Sequence, residues 1–289
     1  MSRYLHTLLK AIDLHVPLGL ANLEIKNLSC DSREIEKGDL FLGLDGEKVD
    51  GGIYWTQAIE RGACAAIISE NASRSNPPTN QDPVVVIPNP VSLYMGKLAA
   101  DFFGNPSAEI CLIGVTGTNG KTTTSFLIEF LTASLGHPSA LFGTLINRWP
   151  DHEETSEYTT SFAVPLQAQL SKAVKAGVEY AAMEVSSHAL SQNRVAGCDF
   201  SGAIFTNLSR DHLDFHDSME SYFEAKASLF RSHLIEDNRP RSVVNSDDKW
   251  GALLAKELNQ KCWTCSLKDY AQIRETPDLY ISNLQIMQD

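Results

Sequence analysis

The chain of 289 residues is 43% hydrophobic and 21% charged, the balance of a soluble globular protein with one large or two ordinary domains. Its formal net charge of -12 argues against nucleic acid as a main partner, because binding along a duplex calls for a basic surface. Residues 1–15 contain no apolar core of signal-peptide length and no later run approaches a membrane span, so a cytoplasmic protein without a membrane partner is expected.

Residues 1–107 read as a separate α/β domain. Asp31, Ser32 and Arg33 precede the turn signal Lys37-Gly38-Asp39, after which 40–44 is a strand candidate. Residues 58–61 end a helix closed by Gly62, and 65–68 form a buried strand. The stretch 70–83, with Ser, Asn and three prolines, is expected to be a surface loop. A strand at 84–87 and a helix at 93–103 follow, and the stop Gly104-Asn105-Pro106 marks the domain boundary.

The second domain, 108–289, opens with an apolar run at 110–115 suited to a buried parallel strand. Next comes Gly117-Thr118-Asn119-Gly120-Lys121-Thr122-Thr123, then a helix pattern at 124–135. Strand, glycine loop, Lys-Thr and helix are the order in which a polyphosphate is cradled: the glycines admit close approach, and loop amides and the helix start present positive potential. Lys121 would reach terminal phosphates and Thr122 would offer its hydroxyl to Mg²⁺. Val115 stands where the general phosphate-loop pattern asks for glycine, with Gly114 one place early.

Further on, strands are expected at 180–185, 202–206 and 243–244, and helices at 164–176, 219–234 and 249–258. That alternation implies an α/β fold, a mostly parallel sheet flanked by helices, with ligands beyond the carboxyl ends of its strands. The acidic run 151–154 reads as a solvated loop. The six cysteines are scattered, as reduced core thiols are; Cys262 and Cys265, on a strand at 261–267, point to opposite faces and cannot share a metal.

Glu184 ends its strand on the same sheet edge as the glycine loop, where a carboxylate holds Mg²⁺ opposite Thr122. His212 can be a metal ligand through a neutral imidazole, while Asp211 and Asp214 can equally brace their loop. Arg194 suits a substrate carboxylate or phosphate, and a structural ion pair as well. Lys226, inside an amphipathic helix, is by default a solvated lysine.

Taken together, residues 117–124, 182–189 with Gln192 and Arg194, 205–214 and 222–226 resemble the Mur ligase family, over nearly the whole chain. The resemblance implies an ATP-dependent ligase of peptidoglycan precursor synthesis. Such an enzyme joins a diamino acid, diaminopimelate or lysine, to UDP-N-acetylmuramoyl-L-alanyl-D-glutamate through an acyl phosphate. It implies that Lys121 neutralises phosphate charge, that Thr122 and Glu184 hold one Mg²⁺, and that His212 with Lys226, as a carbamylated lysine, holds a second. Gly117 to Thr123 would bind ATP; Ser32 and the loop 47–49 would take the UDP end, and Thr159, Thr160, Ser186, Gln192 and Arg194 the muramoyl dipeptide. Thr160 is followed by Ser161 and Phe162, where the family often has proline and an acidic residue. A monomer is expected, made of the UDP-sugar-binding domain and an incomplete central domain, with the C-terminal amino-acid-binding domain absent. The alternative is a non-catalytic ATP/UDP-sugar-binding fragment.

Overall fold

The computed structural model describes residues 3–46, 49–236, 239–268 and 277–280. It divides into two compact units, one of Met1–Pro106, Phe162–Lys172 and Gln192–Cys198, the other of Ser107–Ser161, Ala173–Ser191 and Asp199–Asp289.

In the first unit β1 (Arg3–Tyr4) runs into α1 (Leu5–Ala11) and pairs antiparallel with β2 (Glu24–Ile25). A second sheet is all parallel, in the order β3 (Asn27–Ser29), β4 (Asp39–Leu42), β5 (Ala65–Ser69), β6 (Val84–Ile87). Strand alternation divides the core: Leu40 and Leu42 pack with α1 and α4 (Val91–Phe103), whereas Phe41 between them packs with α2 (Trp55–Arg61) and α3 (Glu70–Ser75). Helix α3 corrects the expected loop at 70–83. The Ser69 hydroxyl accepts the Ala72 amide at 2.8 Å and Ala72 is fully buried, so a capped turn forms before the first proline at 77.

The second unit contains β7 (Cys111–Thr116), α5 (Lys121–Ser134), β8 (Ser139–Phe142), β9 (Ile146–Trp149) and β10 (His152–Thr155). Helix α6 (Ala163–Lys175), whose residues through Lys172 belong to the first unit, leads to β11 (Tyr180–Glu184), α7 (Ser187–Ser191) and β12 (Gly202–Phe205). The chain then forms α8 (Met219–Ser232), β13 (Ser242–Asn245), α9 (Lys249–Leu258), β14 (Cys262–Ser266) and β15 (Leu279–Tyr280). Among the described residues the sheet order is β10-β9-β8-β11-β7-β12-β13-β14-β15, parallel except for β9 and β10. The expected mostly parallel sheet is borne out.

Strand β7 lies between β11 and β12, so the segments leaving these three strands emerge side by side at one edge. Gly114 belongs to the strand and not to the loop: a Cβ there would come within 3.0 Å of the Phe200 ring. The acidic run 151–154 is also corrected, because most of it is β10. Glu153 pairs across from Arg148, 3.7 Å away, and His152 stacks on Trp149. Among the described residues no helix is long and apolar enough to cross a membrane.

Candidate functional site

Residues 117–120 turn the chain from β7 into α5, and the turn depends on two glycines in the left-handed half of backbone space, Gly117 at φ 144° and Gly120 at φ 85°. Helix α5 begins at Lys121 with no side-chain cap, which leaves its starting amides for an anion. The segment after β12 is stitched to the loop. Thr118 donates its amide to the Asn207 carbonyl at 2.9 Å, and Asn119 donates to Asn207 Oδ1 at 3.0 Å. In return Asn207 Nδ2 and the Thr206 hydroxyl donate to the Asn119 carbonyl at 3.0 and 2.7 Å. Two loop amides are therefore spent on holding the loop's shape. Thr123, one helical position beyond Thr122, is exposed.

Glu184, at the end of β11, is fully buried and hydrogen-bonded on both oxygens. Oε2 accepts from the Thr122 hydroxyl at 2.9 Å and from the Thr144 hydroxyl at 3.0 Å, while Oε1 accepts the Thr144 amide at 2.9 Å. Gly143 makes room for this carboxylate, since a Cβ there would collide with Oε1 and lie 3.1 Å from Cδ. Around it the Thr159 hydroxyl lies 3.2 Å from the Thr144 hydroxyl, and the Thr160 hydroxyl donates to the Glu184 carbonyl at 2.8 Å. The Ser186 amide donates to the Thr160 hydroxyl at 3.1 Å, and the Ser186 hydroxyl accepts the Ala189 amide at the start of α7. Thr122, Glu184, Thr159, Thr160 and Ser186 thus form one cluster, and Thr144 is the member the sequence reading missed. Thr144→Val should lower unfolding free energy by about 1–2 kcal/mol in urea titration, because one donor to a buried carboxylate is lost.

The two lysines meet at one atom. Lys121 Nζ donates to the carbonyls of Gly117 and Thr118 at 3.1 and 2.9 Å, and Lys226 Nζ donates to the same Gly117 carbonyl at 2.8 Å. Lys226 is 1% exposed. Burial, and then the repulsion of Lys121, holds its amine well below the usual lysine range, against the attraction of Asp211. Burial likewise lowers Lys121, opposed by Glu184 and Asp211. The folded protein therefore loses the Lys226 proton at lower pH than the unfolded chain does. The penalty for a buried charge is fully present below the folded value and fades as pH rises from there towards 10.5. In CO₂-free buffer, stability measured by urea midpoints should rise through that window, and Lys226→Met should flatten the rise.

Tyr222 stands one helical turn before Lys226, fully buried, with the Lys226 Nζ 4.7 Å from its ring centre. Its hydroxyl is 3.3 Å from the Thr118 hydroxyl. His212, at φ 52° and with its side chain 44% exposed, lies 6.0 Å from the Tyr222 ring and meets His188 edge-on at 4.9 Å. Its Nε2 is 3.6 Å from Asp211 Oδ2. Among the described residues no three His, Cys, Asp or Glu side chains gather as a metal site. Thr122 and Glu184 fit Mg²⁺ by their chemistry, being hard oxygen donors already in contact.

The remaining candidates lie in the first unit. The Ser32 hydroxyl, 7% exposed, donates to Gln57 Oε1 at 2.7 Å. Gln192 Oε1 accepts from Arg194 Nε and Nη2 at 2.9 and 2.7 Å, and the Arg194 guanidinium stacks 4.0 Å over Phe162. Of the expected UDP loop 47–49, Glu47 and Lys48 lie outside the described residues; Val49 is exposed.

The sequence matches the Mur ligase middle domain over residues 115–287 and the Mur ligase family, catalytic domain, over residues 24–103. This chain belongs to the Mur ligase family. The membership expected from its motifs is borne out. Among Mur ligases it is 84% identical over 289 residues to a UDP-N-acetylmuramoyl-L-alanyl-D-glutamate--2,6-diaminopimelate ligase of Prochlorococcus marinus (strain NATL1A), covering 100% of this chain and 57% of that protein. It is 55% identical over 273 residues to the protein of the same name from Synechococcus sp. (strain WH7803), covering 94% of this chain and 55% of the relative. A solved structure of a ligase of that name superposes with a TM-score of 0.79 at 32% identity, over 98% of this chain and 55% of the other. The chain thus spans little more than half the length of these Mur ligases.

Proposed function

We propose that the protein carrying this chain is an ATP-dependent amide-forming ligase, which adds meso-diaminopimelate to UDP-N-acetylmuramoyl-L-alanyl-D-glutamate in the cytoplasm, where ATP is supplied. In this reading residues 1–107 bind the UDP-sugar and residues 108–289 bind ATP. A carboxylate oxygen of the D-glutamate attacks the γ-phosphorus and ADP leaves; the amine of the diamino acid then attacks the acyl carbon, and inorganic phosphate leaves with loss of a proton from nitrogen. Both steps bring anions together, so fixed cations carry most of the stabilisation.

The observation that supports this best is the joining of Thr122 to Glu184 at 2.9 Å beside a carbonyl shared by Lys121 and Lys226. Lys121 would swing from that carbonyl to the terminal phosphates. Mg²⁺ held by Thr122 and Glu184, and a second ion by His212 and carbamylated Lys226, would neutralise phosphate charge. Addition to CO₂ requires an unprotonated amine, and the burial of Lys226 moves its titration in that direction. Thr159, Thr160, Ser186, Gln192 and Arg194 would hold the muramoyl dipeptide, and Ser32 the UDP end.

The test follows ADP, phosphate and amide together. One amide should form per ADP and phosphate released, with ATP left intact when the UDP-muramoyl dipeptide or diaminopimelate is omitted. Accumulation of a phosphorylated product with no amide would favour a small-molecule kinase, and ATP binding without turnover a non-catalytic module.

A further inference from the structure

We infer that Asp248 is a positioning residue for the glycine loop, acting on residues 117–120 through the segment after β12; this rests on the reading of residues 117–123 as an ATP-binding loop. Asp248 precedes α9 in extended backbone, at φ -102°, and its Oδ1 accepts the amides of Trp250 and Gly251 at 2.8 and 2.9 Å. That is an ordinary helix cap, which serine or asparagine makes equally well. The second oxygen makes a bond that a cap does not need: Oδ2 accepts the amide of Leu208, 40 residues away, at 2.9 Å.

Leu208 sits in the middle of the stretch that holds the loop. The Thr206 hydroxyl and Asn207 Nδ2 donate to the Asn119 carbonyl, and Asn207 accepts the amides of Thr118 and Asn119. Ser209 donates its amide to the Thr118 hydroxyl at 3.0 Å. The successive amides of Leu208 and Ser209 therefore go to opposite partners, one to the start of α9 and one to the loop. The far anchor is firm. Gly251 lies so close to the end of β13 that a Cβ would collide with the Asn245 carbonyl, Leu254 is fully buried, and the Trp250 ring stacks on Phe223 of α8 at 5.1 Å. A charged acceptor makes a stronger hydrogen bond than a neutral one, and a negative charge also suits the start of a helix. One carboxylate thus ties the segment to α9 from behind while the front of the segment holds the loop. A loop ordered before a polyphosphate arrives gives up less freedom on binding it.

Calorimetric titration of the chain with ATP and with inorganic tripolyphosphate, both with Mg²⁺, tests the inference beside urea midpoints. Asp248→Ser keeps an oxygen for the α9 amides but is too short to reach Leu208 as well. It should bind both ligands about three- to tenfold more weakly, the effect of losing one charge-assisted hydrogen bond. Ser69→Ala, which removes the cap of α3 in the first unit, is the control for stability. It should lower the urea midpoint at least as much and bind ATP as the unsubstituted chain does. Asn207→Ala cuts the segment from the loop, so adding Asp248→Ser in that background should weaken ATP by less than about twofold further. Loss of ATP affinity with tripolyphosphate unchanged would make Asp248 a direct contact to the nucleoside and overturn the inference. A loss under about twofold in Asp248→Ser, or one that multiplies in full with that of Asn207→Ala, overturns it too and leaves the ATP loop standing. If the unsubstituted chain binds neither ligand, the reading of residues 117–123 falls and the inference falls with it.

Discussion

Replacing Lys226 by alanine is expected to lower amide formation by about a hundred- to a thousandfold, the usual effect of removing one fixed group that stabilises developing charge. The residue is 1% exposed and donates to the Gly117 carbonyl, so its side chain reaches the glycine loop without facing solvent. Alanine leaves a cavity the length of a propyl amine beside the loop. Formate or acetate can occupy it and restore the carboxylate that a carbamate would supply, so partial recovery by added short carboxylic acids is the distinguishing result. Lys226→Arg, which cannot take up CO₂, should be as impaired as alanine and not recover. Rates within threefold of the unsubstituted enzyme, or an equal response to acetate and chloride, would reject the carbamate.

Gly117→Ala should have the other large effect, at least tenfold weaker ATP binding by calorimetry and a stability loss of about 2–4 kcal/mol. Two costs add at this position. At φ 144° any side chain is strained, and the new methyl would collide with the Thr206 hydroxyl and sit 2.9 Å from the Asn207 carbonyl. Relief requires moving the segment after β12, which is the segment that holds Thr118 and Asn119 in place. Gly136→Ala is the control: its φ of 87° imposes similar strain but nothing lies within 4 Å, so it should cost about 1 kcal/mol and spare ATP. Equal ATP affinity in the two variants would refute the bracing role of the β12 segment.

Much of this arrangement was legible in the sequence, for identifiable reasons. Strand β7, the glycine loop and α5 are contiguous, and Glu184 ends an apolar run, so local pattern was enough to put them on one sheet edge. Burial of Lys226 was also available: Tyr222, Lys226, Leu229 and Phe230 share one helical face, and that face is buried. Reading Lys226 as solvated gave residue type more weight than spacing. Thr144 was hidden because the preceding strand β8 has only 4 residues, too short to announce itself, and the acidic hairpin because β10 is charged on both faces. The loop amides spent on Asn207 depend on a contact between positions 88 residues apart, which no local pattern contains.

Gly143 and Glu184 constrain each other in a way that bears on how such a chain can vary. Glu184 Oε1 occupies the space a methyl group at 143 would need, with Cγ only 3.3 Å from that position. A shorter acid at 184 would open the space but withdraw from Thr122 and Thr144, which hold it from two sides. Neither position can therefore be the first to change without loss, and a lineage that keeps the carboxylate inherits the glycine with it. Across descendants of this sequence the two should be retained as one character, a linkage imposed by a side chain on a backbone 41 residues away.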